Sequence, residues 1–158
     1  MGFDFSRDTL QQRITPFLLR AKRATYAGKG AESASSRPKS HDLQYSEGEL
    51  LYIDSFIGEK EFAGEEAVWA EGTPIWSMNY IGRVTNPRFS GDFLKAALKA
   101  VPAERPYRGP EVYEEGDWRY ECRTEGNFGW FQGYEVIYLE GEAVYDCFFH
   151  GGYIHTTR

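Results

Sequence analysis

The chain carries one stretch of its sequence twice, so any fold for it must accommodate two copies of the same unit. Arg37-Pro38 and the following Tyr45-x-Glu47-Gly48-Glu49-x-x-Tyr52 match Arg105-Pro106 and Tyr113-x-Glu115-Gly116-Asp117-x-x-Tyr120 at a constant offset of 68 residues. After one inserted residue the match resumes at an offset of 69. Phe62-x-Gly64-x-Glu66-x-Val68-Trp69-x-Glu71-Gly72-x-x-Ile75-Trp76 answers Phe131-x-Gly133-x-Glu135-x-Ile137-Tyr138-x-Glu140-Gly141-x-x-Val144-Tyr145, and Tyr80-x-Gly82 answers Phe149-x-Gly151. Such self-similarity predicts a pseudo-symmetric fold with a seam between the copies. Positions at which the copies differ are where a specific task would leave its mark.

At 158 residues and 41% hydrophobic content, the chain can bury one core and is too short for two. A single domain over 1–158 is expected, with pseudo-repeats at about 15–84 and 90–154. A net charge of −6 argues against direct nucleic-acid binding, because phosphate contacts need clustered Lys and Arg. The densest basic run, Arg13, Arg20, Lys22, Arg23 and Lys29, reads as a solvated helix face. No apolar run approaches the roughly 18 residues of a membrane span, and no secretory signal follows Met1. With Cys122 and Cys147 in no metal-ligand spacing, a cytosolic setting with reduced, core-packed cysteines is expected.

Hydrophobic spacing predicts a helix over 6–22, with Leu10, Ile14, Phe17, Leu18 and Ala21 on one stripe and Pro16 kinking or restarting it. A second helix is predicted over 90–101, capped by Ser90. The small polar run at 27–40 reads as a flexible loop. Each copy then offers three strands, at 44–56, 65–70 and 74–84 and again at 112–123, 131–139 and 143–154. Glu71-Gly72 and Glu140-Gly141 read as tight hairpin turns. The expected class is therefore α+β: a helix plus three antiparallel strands, twice over, in one pseudo-symmetric antiparallel sheet with both helices on one face.

Several motifs carry a resemblance. They are Ser35-Ser36-Arg37-Pro38-x-Ser40-His41-Asp42-Leu43-x-Tyr45, Gly64-Glu65-Glu66-Ala67-Val68-Trp69, Trp76-x-Met78-Asn79-Tyr80-x-Gly82, Pro106-Tyr107-Arg108-Gly109-Pro110 and Phe149-His150-Gly151-Gly152. Together they resemble an uncharacterised bacterial domain family that occurs alone or after a helix-turn-helix of the Cro/repressor type. The resemblance spans roughly Phe17 to Ile154 and assigns no catalytic residue. It implies a sensor whose output is transcription, reached here through a protein partner. In architecture alone, duplicated helix-plus-sheet units with an acidic aromatic pocket are also similar to gyrase-inhibitor-like effector-binding domains.

Glu66 and Glu135 occupy the same position in the two copies, on strands flanked by Trp69, Trp76, Tyr138 and Tyr145. A carboxylate among rings attracts a cation through its charge and through the ring faces. Both glutamates could equally lie at strand edges in water. The expected function is a small-molecule-binding, effector-like domain with an aromatic, acidic pocket between the copies, for a cationic or aromatic ligand. Its lining would be Glu66, Trp69, Trp76, Asn79, Tyr80, Glu135, Tyr138, Tyr145 and His150, with Arg37, Ser40 and His41 contributed by the loop. Two other readings stay open. One is an enzyme using His41, Asp42 and Glu66 for acid/base or hydrolytic chemistry; the other is an interaction module docking on a regulator or a toxin. No HxxxH or CxxC pattern links His41, His150 and His155, so no metal or cofactor is expected. The unshared residues, Asn79 against Phe148 and His150 against Ile81, stand out once the copies are subtracted.

Overall fold

A computed structural model describes residues 2–27 and 32–157. Its backbone is a single nine-stranded antiparallel sheet, formed by β1 (Glu32–Ser33), β2 (His41–Glu47), β3 (Leu50–Gly58), β4 (Glu61–Ala70), β5 (Thr73–Val84), β6 (Val112–Glu115), β7 (Trp118–Asn127), β8 (Trp130–Leu139) and β9 (Glu142–Tyr153). The spatial order is β1-β2-β3-β4-β5-β9-β8-β7-β6, so two meanders meet at the β5–β9 pair. At that junction Tyr80 faces Phe149 in register. The two meanders also share an irregularity, a register shift at Val68/Trp69 in one and at Ile137/Tyr138 in the other.

This corrects the expected architecture of a helix plus three strands, repeated, with the helices as the second layer. The runs at 44–56 and 112–123 are each two strands, not one. Gly48 (φ 54°) and Gly116 (φ 58°) take a left-handed conformation that turns the chain back on itself. Each copy therefore contributes four strands, with the two-residue β1 added at the edge of the first, and the sheet dominates. The helices are α1 (Arg7–Lys22) and the short α2 (Gly91–Lys99). Irregular chain also contributes to the core over the buried sheet face, notably Phe3 near the start and Tyr107-Arg108 in the connection between α2 and β6. Pro16 is accommodated inside α1, which continues into a wider π-type turn at Arg23–Ala27. Of the loop expected at 27–40, residues 28–31 lie outside the described residues. The remainder contains β1 and a turn in which the Ser40 amide donates to the Arg37 carbonyl at 3.0 Å.

Strand alternation sorts the side chains. Tyr52, Asp54, Glu66, Val68, Trp76, Met78 and Tyr80 are buried on one face, as are Tyr120, Cys122, Glu135, Ile137, Tyr145, Cys147 and Phe149. We call this the inner face. The outward face carries Glu65, Trp69, Asn79 and Ile81 in the first meander and Trp130, Tyr134, Phe148 and His150 in the second. No helix among the described residues is long and apolar enough to cross a membrane.

Candidate functional site

The inner face contains ionised groups where an antiparallel sheet ordinarily carries only hydrocarbon. Glu66 on β4 is fully buried and accepts from the Lys22 ammonium at 2.6 Å, as well as from the hydroxyls of Tyr52 and Tyr26. Lys22 sits at the end of the apolar stripe of α1, one helical turn beyond Leu18, and donates also to the Tyr107 carbonyl at 2.6 Å. Burial pulls its ammonium below the ordinary lysine value, and Glu66 opposes that pull. The second meander repeats the arrangement with other parts. Glu135 receives Arg108 Nη2 at 2.7 Å, Tyr145 Oη at 2.7 Å and the Tyr120 hydroxyl. A buried pair is tolerable only when its remaining hydrogen bonds are satisfied, and here they are. Burial pushes the Tyr26, Tyr52, Tyr120 and Tyr145 hydroxyls well above the usual range, and the neighbouring glutamate pushes them further, so they serve as neutral donors.

Asp54 breaks the correspondence. It is the register partner of Glu66 on β3 and is only 2% exposed, yet it forms no ion pair among the described residues. The hydrogen bond it accepts among those residues comes from Tyr80 Oη, at 2.6 Å. Gly64 makes this bond possible, because a Cβ at that position would lie 2.4 Å from the Tyr80 hydroxyl oxygen. In the second meander the same places hold Cys122 and Phe149, with Gly133 under the ring. Burial, and then the charge on Glu66, push the Asp54 carboxyl up to about 7, against the pull of Tyr80, Arg108 and Lys22.

A cavity of about 580 Å³ opens beside this carboxyl. Tyr26, Phe56, Phe62, Tyr80 and Phe89 supply its rings, and Leu94 and Leu98 of α2 supply an aliphatic wall. Arg108 also lines it, with its guanidinium carbon over the Tyr80 ring, 5.1 Å from the ring centre, and with Nε and Nη2 donating to Glu135. Glu32, His41 and Glu59 also line the opening. His41 stacks on Phe56 at 5.0 Å and places Nδ1 2.8 Å from Glu32 Oε1.

The residues singled out from sequence distribute over two faces. Tyr80 and His41 line the cavity. Glu66 and Glu135 lie beneath it, each occupied by a cation, and Tyr145 is bonded to Glu135. Trp76 is a core residue whose Nε1 donates to the Phe128 carbonyl at 3.0 Å, between the rings of Phe128 and Phe131. Trp69, Asn79, Tyr138 and His150 belong to the outward face. Arg37 and Ser40 are also remote from the cavity, with Arg37 Nη2 2.8 Å from Ser55 Oγ and Ser40 Oγ 2.7 Å from Asp42 Oδ1. Adjacent strand residues point opposite ways, so the sheet itself separates Asp42 from His41, and His41, Asp42 and Glu66 form no common site. Among the described residues no group of three or more potential metal ligands gathers.

Lys22, Tyr26, Asp54 and Arg108 are among the members of the inner site that were missed from sequence. Asp54 had a visible signal, since it shares a strand face with Leu50, Tyr52 and Phe56. Lys22 had one too, as the continuation of Ile14 and Leu18 at four-residue spacing. Arg108 lies in an irregular connection where periodicity carries no information.

No curated protein and no solved structure matches the chain. A family model described as a domain of unknown function, DUF5680, matches residues 54–154. That span begins at Asp54 and takes in Glu66, Tyr80, α2, Arg108 and the whole second meander. The chain belongs to the DUF5680 family.

Proposed function

We propose that this chain is a small-molecule-binding domain whose ligand occupies the cavity beside Asp54. The ligand would present a cationic or hydrogen-bond-donating group to the carboxylate and an apolar body to the surrounding rings. One observation carries the reading: Asp54 is a buried carboxylate of the inner face with no cation paired to it among the described residues, and it borders a cavity within the size range of small-ligand sites. Keeping an ionised carboxylate there unpaired is costly. A ligand cation would remove that cost, and the rings would add attraction through their faces. Output from such a domain would pass through a protein partner.

Calorimetric titration with benzyltrimethylammonium and tetraphenylphosphonium, and with benzyl alcohol as a neutral control, tests the reading. Saturable binding of a cation is expected at pH 8. At pH 5.5 it should weaken roughly thirtyfold, because Asp54, held at about 7, is then mostly protonated. Asp54→Asn should bind at least tenfold more weakly at pH 8. Absence of saturable binding by either cation, or equal affinity in Asp54→Asn, rejects the reading.

A further inference from the structure

The outward face of the sheet carries a second, separate arrangement. Following the strand register from β2 to β7, the facing residues are Asp42, Ser55, Glu65, Asn79, His150, Gln132 and Glu125. This is an unbroken polar ladder across seven strands. At about 4.8 Å per strand it is roughly 29 Å long. The adjoining row is low in its middle, where Ala67, Ser77 and Gly152 follow one another in register. Two grooves lie along this line, of about 650 Å³ and 480 Å³, and both are lined by Asn79. Trp69 lines the first. Trp130 lines the second and is 82% exposed.

Glu65, Asn79 and His150 make no side-chain hydrogen bond among the described residues, and neither do Gln44 or the Trp69 indole. Planar amide and carboxylate groups of this kind offer donors and acceptors side by side. The two indoles offer flat apolar surfaces at separate points beside the ladder, Trp69 in the first groove and Trp130 in the second. Asn79 and His150, which have no counterpart in the other copy, sit opposite each other at its centre. From this geometry we infer that the outward trough binds a neutral polyhydroxylated chain, an oligosaccharide. Its hydroxyls pair with the ladder, and the C–H faces of its rings lie on Trp69 and Trp130.

The charge pattern selects among extended ligands. Glu65 and Glu125, exposed on the ladder, repel a phosphate backbone, which needs clustered cations, whereas Arg37 alone adds an arginine or lysine to the lining of the two grooves. A peptide in extended form adds along an open strand edge. This trough instead runs across the strands, where no backbone groups are free to pair.

The test uses the full chain with cellohexaose, maltohexaose, laminarihexaose and chitohexaose, followed by tryptophan fluorescence and by retention on the corresponding insoluble glycans. At least one hexaose should bind saturably and shift the emission of the exposed Trp130 to the blue. Trp69→Ala and Trp130→Ala, both on the solvent face, should each weaken it at least tenfold, and Asn79→Ala should weaken it severalfold. Asp54→Asn should leave it unchanged, which separates this site from the inner cavity. The inference is overturned if none of the four hexaoses binds, or if binding survives both tryptophan substitutions. It is equally overturned if single-stranded DNA or an unstructured peptide binds at the trough instead.

Discussion

The two meanders build the same knot on the inner face and then part ways at the strand next to the glutamate. In each, a buried glutamate receives a tyrosine from the preceding strand and a cation from outside the sheet: Glu66 with Tyr52 and Lys22, Glu135 with Tyr120 and Arg108. That shared part is scaffold, since each of its charges is matched internally. Across β3–β5 the row then reads Asp54-Glu66-Met78, whereas across β7–β9 it reads Cys122-Glu135-Cys147. The second meander finished its row with small neutral side chains. The first set a carboxylate directly opposite another carboxylate, an unfavourable pairing on a sheet, and placed a cavity above it. The surplus charge, rather than the shared glutamates, is where the halves differ chemically.

The largest test of that contrast is to unbalance the knots. Glu135→Ala leaves Arg108 buried without its counter-ion and should cost about 3–5 kcal/mol in chemical denaturation. Glu66→Ala should cost measurably less, because Asp54 is free to ionise in its place opposite Lys22. Equal losses would mean that Asp54 does not communicate with the knot.

Asp54→Asn should act in the opposite direction. A folded-state carboxyl at about 7, against an ordinary 3.8, favours the native state most below pH 4, and that contribution is lost as pH rises towards 7. Replacing it with a neutral amide should therefore stabilise the protein at pH 8 by up to about 4 kcal/mol, and hardly at all at pH 4. Urea midpoints at the two pH values measure this, and a variant no more stable at pH 8 would refute the strained carboxylate. Tyr80→Phe copies Phe149 into the first meander and removes the one hydrogen bond that Asp54 accepts among the described residues. It should cost about 2 kcal/mol at pH 8 and move the titration of Asp54 higher, readable from the carboxyl carbon shift in NMR.

The smallest contrast concerns helix starts. Ser90 Oγ accepts from the Phe93 amide at 3.3 Å, whereas Ser6 makes no side-chain cap. Ser90→Ala should lower stability by about 1 kcal/mol, and Ser6→Ala should leave it within measurement error.

Much of the sheet was legible because alternation and turn residues act locally. Glu71-Gly72 and Glu140-Gly141 both adopt positive φ and join β4 to β5 and β8 to β9. The strand count was misread where Tyr-x-Glu-Gly looked like the start of one long strand. A single glycine at positive φ makes a hairpin there, and hydrophobic period does not register it. The site was harder to read for a different reason. Lys22, Asp54 and Arg108 are charged residues whose burial depends on partners 44, 26 and 27 positions away, and no local pattern encodes such distances. Trp69 and Tyr138 were grouped with Glu66 and Glu135 by proximity in sequence, although odd spacing on a strand puts them on the opposite face.

The meeting of β5 with β9 has a kinetic consequence. Among the described strands, every other ladder joins sequence neighbours, so each meander is assembled from hairpins that close short loops quickly. The β5–β9 ladder instead joins residues such as Tyr80 and Phe149, and must close a loop containing α2, Arg108 and three further strands. It is the slow step expected from the topology, and its entropic penalty rises only gently with the length of that loop. Cutting the backbone between Val84 and Gly91 would turn this closure into a second-order encounter. Refolding of the nicked protein would then depend on concentration, while each half could still form its own hairpins.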